Sequence, residues 1–290
     1  MSSLPVPETP RRGNATWSDL RPRLISAAVL IIIAGAAIQA GGLFYGALII
    51  VAMCGMASEL ATLFGTSVRS WRGVLYIAWM GCAGIAALYG HWNAVPAFVM
   101  SAFIFGPPLW AGSAVIAAAG TALLWLRLCT PPGAWSVLFA IGVVVFSDST
   151  AYITGRLVGG PKLAPRISPG KTRSGAMGGL AGALMAGIVV AALSGPADDD
   201  VMLRSAVWAV VLGIVAQAGD LAESAMKRAL GVKDSGRLLP GHGGLLDRFD
   251  ALLAVAPVAA ALSLAARPGQ GFWSVGPEDM WAAVLRLTGQ

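Results

Sequence analysis

Nine apolar stretches follow one another along the chain, separated by short polar segments. They cover residues 24–40, 43–64, 74–89, 94–105, 109–126, 135–153, 176–193, 206–222 and 251–266. A helix needs about 20 apolar residues to cross the hydrocarbon core of a bilayer. The pattern therefore predicts an all-α, polytopic membrane bundle with about nine transmembrane helices, of which the fourth is short because Pro107 and Pro108 end it.

The composition supports a membrane protein. The 290 residues are 57% hydrophobic and 12% charged, with a mean hydropathy of +0.73. So much apolar area cannot all lie inside a soluble domain. The net charge of +6 could indicate a nucleic-acid partner. The basic residues, however, lie in short segments between apolar stretches and not in one patch with aromatic side chains, so we expect no nucleic-acid partner.

Four arginines, at positions 11, 12, 21 and 23, precede the first apolar stretch. By the positive-inside rule, they place the N-terminal tail in the cytoplasm. A signal peptide is the alternative, with Ala34-Gly35-Ala36 as a passable cleavage site. We expect an uncleaved first helix instead, because the tail is long and further apolar stretches follow at once.

Nine crossings from a cytoplasmic start place three basic segments inside: the one with Arg69 and Arg72, residues 156–173, and the loop after residue 222. The acidic residues 198–200 then lie outside. We expect a protein of a bacterial inner membrane with its active site on the cytoplasmic side. The predicted regions are a cytoplasmic tail (1–20), N-terminal transmembrane helices (21–146), a catalytic transmembrane region (147–267) and a C-terminal tail (268–290), whose tryptophans suggest an interfacial segment.

Acidic and basic side chains gather between the last two apolar stretches. Residues three, four and seven apart share one face of a helix, so Asp220, Glu223, Ser224 and Lys227 would line one side at the end of the eighth stretch. A glycine-rich loop follows, whose backbone can approach a ligand closely and offer N–H groups to phosphate; it contains Gly236, Pro240, Gly241, Gly243 and Gly244.

The residue types of this region predict a magnesium and nucleotide-phosphate site. Carboxylates from two elements can hold one or two hard cations, which bridge phosphate oxygens. The remaining phosphate charge would be neutralised by Lys227, Arg228, Lys233 and Arg248. A loop of solvated charges is the alternative, but it does not account for acids inside an apolar helix or for the glycines. Another intramembrane acid, Glu59, receives no role from the sequence.

A second polar stretch runs from Ser147 to Gly175. Asp148 and Tyr152 share a helix face, and an aspartate deep in an apolar run is a functional candidate. A structural hydrogen bond to a neighbouring helix is the alternative for Asp148. Lys171 and Thr172 would open a helix and could hold phosphate. The segment lacks the leading glycine and the strand of a P-loop.

These motifs resemble the phosphatidate cytidylyltransferase (CDP-diacylglycerol synthase) family. The 27 residues from Ser224 to Asp250 agree with every fixed position of its signature. Two further elements of the family are matched from Asp148 to Arg156 and from Ser168 to Gly175. Three positions depart: Gly170 replaces a lysine, Arg173 a tryptophan and Ser174 a glutamate. The departures remove one cation and one carboxylate, and Arg173 restores a positive charge.

The resemblance implies transfer of CMP from CTP to phosphatidic acid in phospholipid biosynthesis, giving CDP-diacylglycerol and pyrophosphate. It implies Mg²⁺, with a second cation allowed, and CTP, phosphatidic acid and the lipid bilayer as partners; a homodimer stays open. We expect Asp220 and Asp247 as metal ligands, with Asp148, Asp234 and Asp250 as second choices. The other catalytic candidates are Lys227, Arg228, Lys233, His242 and Arg248. The remaining binding candidates are Tyr152, Ser168, Lys171, Thr172, Ser224, Gly243 and Gly244.

Two alternative functions remain open. A polyprenol kinase would also use CTP in the membrane but would release CDP. A transporter would also place charges within spans, but it predicts paired broken helices and internal symmetry, which the sequence lacks.

Overall fold

The structure is a computed structural model that describes residue 29 and residues 31–196, 198–236, 238 and 243–288. Ten helices and one two-stranded ribbon make up this part. They are α1 (Ile31–Ala40), α2 (Gly42–Leu63), α3 (Trp71–Leu88), α4 (Ala94–Ser101) with a 3₁₀ turn (Ala102–Phe105), α5 (Pro107–Leu128), α6 (Ala134–Leu157), β1 (Lys162–Ala164), β2 (Ser168–Thr172), α7 (Arg173–Ser194), α8 (Asp199–Ala229), α9 (Leu246–Ser263), a 3₁₀ turn (Phe272–Ser274) and α10 (Pro277–Thr288). The predicted N-terminal tail lies outside the described residues.

Six of these helices are long and apolar enough to cross a membrane: α2, α3, α5, α6, α7 and α8. The polytopic helical character is thereby confirmed, whereas the count of nine is not. The described part of α1 has 10 residues, α4 has 8, and α9 carries Asp247, Arg248 and Asp250 in its first turns.

The short fourth stretch runs back along α3. Trp79 Nε1 donates to Phe98 O at 3.2 Å and to Ser101 Oγ at 3.0 Å. At the other end, Arg72 Nη2 donates to Phe105 O at 2.8 Å. The chain thus returns from the end of α3 to its beginning over about 20 Å, given the rise of α and 3₁₀ helices. That is shorter than the roughly 30 Å of a bilayer core.

Helices α6, α7 and α8 pack in sequence order, and α8 also packs against α9. Small residues bring α6 and α7 together. A methyl group on Gly178 would lie 2.0 Å from Thr154 Oγ1, and one on Gly182 would lie 2.1 Å from Thr150 Oγ1. The absence of a side chain at these two glycines thus allows the two helices to pack closely.

The sequence predicted an all-α fold and did not predict the antiparallel ribbon between α6 and α7. Because of this ribbon, the fold is nearly all-α. Lys162 pairs with Thr172, and Ala164 with Ser168. Prolines at positions 161, 165 and 169 exclude a continuous helix here. The strands have only three and five residues, too short to show a periodicity in sequence.

Helix α8 is longer than the apolar stretch that predicts it. Its 31 residues span about 46 Å, more than a bilayer core. Asp198 caps it by accepting from Val201 N at 2.8 Å. Its last turns continue past the apolar segment and carry Asp220, Glu223, Ser224 and Lys227 on helix, as the sequence predicts.

The C-terminal segment differs in part from the prediction. Trp273 is buried, and its ring stacks on Phe139 of α6 with centroids 5.1 Å apart. It therefore anchors the segment to the bundle and not to an interface. Trp281 on α10 is exposed, as an interfacial residue would be.

Candidate active site

The end of α8 and the beginning of α9 are joined by a buried ion cluster. Lys227 Nζ lies 2.5 Å from Glu223 Oε2 and 2.7 Å from Asp247 Oδ1, and each of the three side chains is at most 13% exposed. In such surroundings the charges must be paired to be tolerated. The sequence placed all three in one region, and the structure brings them into contact.

Asp247 also organises the loop before it. Its Oδ2 accepts from Ser235 N at 2.9 Å and from Gly244 N at 3.1 Å. Burial by itself raises the pKa of Asp247, but Lys227 and the Ser235 donors outweigh it and hold the pKa below its ordinary value. The Gly244 amide, predicted to donate to phosphate, thus donates to Asp247. Gly243 has a φ of +85°, which favours glycine.

Asp220 lies one turn before Glu223 on α8 and faces the ribbon. Its Oδ2 forms an ion pair with Lys171 of β2, and its Oδ1 accepts from Ser224 Oγ at 3.3 Å. Farther along α8, Arg228 Nε donates to Ile167 O between the strands at 3.4 Å. These contacts hold the ribbon against α8 and bring residues from the two separate sequence motifs together.

A cavity of about 550 Å³ opens between α6, the ribbon, α7 and α8, and it is called the polar cavity here because charged side chains from these elements line part of its wall. The predicted residues that line it are Asp148, Tyr152, Lys171, Thr172 and Asp220. Two residues that the sequence analysis did not select also line it. Arg156 Nη1 donates to Tyr152 Oη at 2.8 Å, and Gln217 Nε2 donates to Ala176 O at 3.0 Å.

Thr172 is the N-cap of α7, as the predicted opening of a helix requires. Its Oγ1 accepts from Gly175 N at 3.0 Å. Ser174, at a position where the family has glutamate, donates a hydrogen bond from its Oγ to Gly159 O, and this Oγ lies 3.1 Å from Thr172 Oγ1. The departure therefore ties the beginning of α7 to the end of α6.

A second cavity, of about 490 Å³, is almost wholly apolar. Leu60 of α2, Val115 of α5, Met226 of α8 and Leu253 of α9 are among its lining residues. Among the residues that the structure describes, Glu223 and Asp250 are the two that bring carboxylates to its wall. The cavity therefore combines a hydrocarbon-like interior with one acidic end.

Asp250 lies close to Asp220 because α8 and α9 nearly touch. A methyl group on Gly219 would lie 3.1 Å from Asp250 O and 2.7 Å from Ala254 Cβ. Burial, and next the negative charge of Asp220, raise the pKa of Asp250 to about 6, while the Ala251 N–H and Lys227 act in the opposite direction. Negative charge thus accumulates between the two cavities, where a cation would relieve it.

The carboxylates of the site fit Mg²⁺, which substrate phosphates help to bind, better than a metal ion whose ligands all come from the protein. Within residues 31–196, 198–236 and 243–288, no three His, Cys, Asp or Glu side chains are placed to hold an ion together. Mg²⁺ is commonly held by one or two carboxylates together with substrate phosphates. Asp148 and Asp220 line the polar cavity with oxygen ligands of that type.

Four other predicted residues lie in the loop after α8, on β2 and at the beginning of α9. Lys233 and Asp234 are exposed, Ser168 lies on β2, and Arg248 is an exposed residue of the first turn of α9. His242 lies outside the described residues.

Glu59 is a further residue to which the sequence assigned no role. It is 4% exposed, and its Oε1 accepts from Leu245 N at 2.9 Å and its Oε2 from Leu246 N at 2.8 Å. The signal for it was an acid within an apolar stretch. Its partners could not be read from the sequence because they lie more than 180 residues away.

These features together define a class of protein. It is a polytopic helical membrane protein in which basic and acidic side chains, of the kind that bind phosphate through cations, lie beside an apolar cavity. The model of the Cytidylyltransferase family matches residues 21–265. The chain therefore belongs to the Cytidylyltransferase family.

Individual relatives agree with this family assignment. The chain is 40% identical over 250 residues to the phosphatidate cytidylyltransferase of Brucella abortus biovar 1 (strain 9-941). The alignment covers 82% of this chain and 91% of the Brucella protein. It is 43% identical over 148 residues to the phosphatidate cytidylyltransferase of Staphylococcus saprophyticus, covering 49% and 54%. It is also 43% identical over 126 residues to the uncharacterized protein YnbB of Escherichia coli K12, covering 43% and 41%.

Proposed function

We propose that the protein transfers the cytidylyl group of CTP to phosphatidic acid, with CDP-diacylglycerol and pyrophosphate as products. The observation that carries this proposal is the pair of cavities around the end of α8. One is polar and contains Lys171, and the other is apolar with Asp250 at its wall. A soluble nucleotide and a lipid with hydrocarbon tails need these two environments.

In the proposed reaction, a phosphate oxygen of phosphatidic acid attacks the α-phosphorus of CTP. The bond from that phosphorus to the oxygen bridging the α- and β-phosphates breaks, and its electron pair leaves with pyrophosphate. A phosphate monoester is mostly deprotonated at neutral pH, so no strong base is required. Catalysis then consists of positioning and of stabilising charge.

The basic residues of the site suit the phosphate charges. Lys171 lies in the polar cavity, directly before the capped N-terminus of α7, where backbone N–H groups and the helix dipole favour anions. Lys227 is held between Glu223 and Asp247 at the edge between α8 and α9. In the proposal Lys171 leaves Asp220 to contact CTP, while Lys227 keeps α8 and α9 together.

Magnesium is the proposed cofactor, with Asp220 as its principal ligand and Asp247 as the second predicted ligand. When bound, Mg²⁺ supplies positive charge to phosphate oxygens. Asp220 already binds the ammonium group of Lys171, so its carboxylate is oriented toward the polar cavity. Asp247 binds Lys227 and two backbone N–H groups, so a cation there competes with an ammonium group. Asp250 and Asp148 extend the acidic set around Asp220.

We also propose that the site faces the cytoplasm of a bacterial cell, at the inner membrane. Glu59, near the end of α2, contacts the loop before α9, so the end of α2 and the site share one end of the bundle. Arg69, in the connection from α2 to α3, and Arg72, in the first turn of α3, lie at this end. Basic residues at the same end as the site support a cytoplasmic orientation by the positive-inside rule.

The test uses the full-length protein purified in mixed micelles with labelled CTP, phosphatidic acid and Mg²⁺. We expect pyrophosphate and CDP-lipid in equal amounts, and neither with EDTA or without lipid. Release of CDP instead of pyrophosphate would identify a kinase, and an absence of CTP turnover would overturn the proposal.

A further inference from the structure

The buried carboxylate of Glu59 lies in the N-terminal half of the chain, yet its hydrogen bonds go to the loop that precedes α9. Besides Leu245 N and Leu246 N, it accepts from Leu238 N at 3.3 Å. The three donors come from the two described ends of the loop. Glu59 therefore joins both ends to one side chain of α2.

Helix α9 needs this carboxylate because it has no cap of its own. Its N-cap residue is Leu245, which forms no side-chain capping bond. Leucine is among the poorest N-cap residues, and the first N–H groups of a helix have no partner within the helix. Glu59 supplies, from another helix, an acceptor for the first of these groups, Leu246 N, and its negative charge also suits the positive end of the helix dipole.

A second contact on the same face of α2 supports the arrangement. Gly55 lies one turn before Glu59, and a methyl group there would come within 2.8 Å of Leu245 Cδ2 and 3.1 Å of Leu238 Cδ2. Gly236 passes over the carboxylate, since a methyl group on it would lie 2.5 Å from Glu59 Oε1. The loop thus packs on this face of α2 at two points, through an apolar contact at Gly55 and through hydrogen bonds to the charged Glu59.

The residue after Leu246 is Asp247, the partner of Lys227. We propose that Glu59 is a positioning residue that sets the N-terminus of α9, and through it the Asp247–Lys227 pair, in the geometry that turnover requires. The inference rests on the proposed function for its kinetic part. It also implies that the N–H groups of Leu245 and Leu246 do not bind substrate phosphate, since Glu59 occupies them.

The test compares Glu59→Gln with Arg127→Gln in the full-length protein. Arg127 is a matched control because it is also a charged cap between helices: its Nε donates to Ile38 O at 2.6 Å and its Nη2 to Gln39 O at 3.1 Å, at the end of α1. Two readouts are needed: kcat and KM for CTP and phosphatidic acid, and hydrogen exchange of the backbone amides at residues 238, 245 and 246.

We expect Glu59→Gln to lower kcat by about 10- to 100-fold, the usual effect of losing a supporting residue behind a ligand, with KM changed less. Its three backbone amides should exchange faster while the rest of α2 stays protected. Arg127→Gln should leave both readouts at the site unchanged. The inference is overturned if Glu59→Gln keeps kcat and amide protection within twofold of the parent protein, or if both variants lose activity equally. A parent protein without CTP turnover would refute the proposed function instead, and the exchange comparison would still decide the role of Glu59.

Discussion

Lys227 Nζ lies 2.7 Å from Asp247 Oδ1, and this contact joins the last turn of α8 to the first turn of α9. The same ammonium group also binds Glu223. One cation thus compensates two carboxylates in a mostly buried place, next to the acidic residues Asp220 and Asp250. The stability of the helix pair and the charge of the site depend on the same residue.

Replacing Lys227 by methionine should therefore affect folding as well as turnover. It leaves Glu223 and Asp247 buried without their cation, and breaking a buried pair on one side costs about 3–5 kcal/mol. Thermal unfolding in micelles should show the loss. Lys233→Met is the control, since Lys233 is exposed; equal stability of the two variants would contradict this role.

Asp220→Asn should abolish turnover while the protein stays folded. The substitution keeps the size of the side chain but removes the charge that binds Lys171 and, in our proposal, Mg²⁺. Asp200→Asn is a matched control at the opposite end of α8, where the residue is exposed. Activity as a function of Mg²⁺ concentration is the measurement, and near-normal turnover of Asp220→Asn would remove it from the metal site.

Thr172→Ala should weaken the beginning of α7. Loss of an N-cap costs about 1 kcal/mol, and Thr172 Oγ1 is the acceptor for Gly175 N. Thr172→Ser keeps the oxygen and should restore the parent stability. Unfolding temperatures of the two variants check the cap, and a serine variant as unstable as the alanine variant would contradict it.

Filling the apolar cavity should affect the lipid substrate alone. Val115 lines the cavity, and Val115→Trp would occupy part of its volume of about 490 Å³. We expect the KM for phosphatidic acid to rise about 10-fold, as for about 1.4 kcal/mol of lost binding, with the KM for CTP unchanged. Val51→Trp is the control on an exposed position of α2; the same effect from both variants would argue against a lipid site in the cavity.

The C-terminal segment should loosen in acid. Burial raises the pKa of Asp279, but the Gly276 N–H and then Arg267 outweigh it, so the pKa lies below its ordinary value. A group with a lowered folded-state pKa contributes stability above its unfolded pKa of about 3.9 and loses it as the pH falls through the folded value. Tryptophan fluorescence should therefore change below about pH 4. Asp279→Asn should lack this step, and an unchanged acid transition in that variant would refute the assignment.

The hydrophobic pattern alone predicted a polytopic helical protein, because burial in lipid requires long apolar helices. The part of the chain that the structure describes contains six such helices, and α8 carries its polar residues where the spacing placed them. The motifs were sufficient to predict the family and five residues that line the polar cavity. Asp148 and Asp220 were selected because charged residues within apolar stretches are costly unless they have a function, and Lys171 was selected because it precedes the start of a helix, where phosphate can bind.

Only the tertiary structure decided which of these residues meet. The ion pair between Lys171 and Asp220 depends on a short ribbon that no periodicity revealed, and the hydrogen bonds of Glu59 join residues 179 to 187 positions apart. The sequence determined the kinds of side chain and the local elements, because apolar periodicity and turn residues act over a few residues. The partners of Asp247 and Glu59, and the separation of a polar from an apolar cavity, arise from packing between distant helices, which a local pattern does not encode.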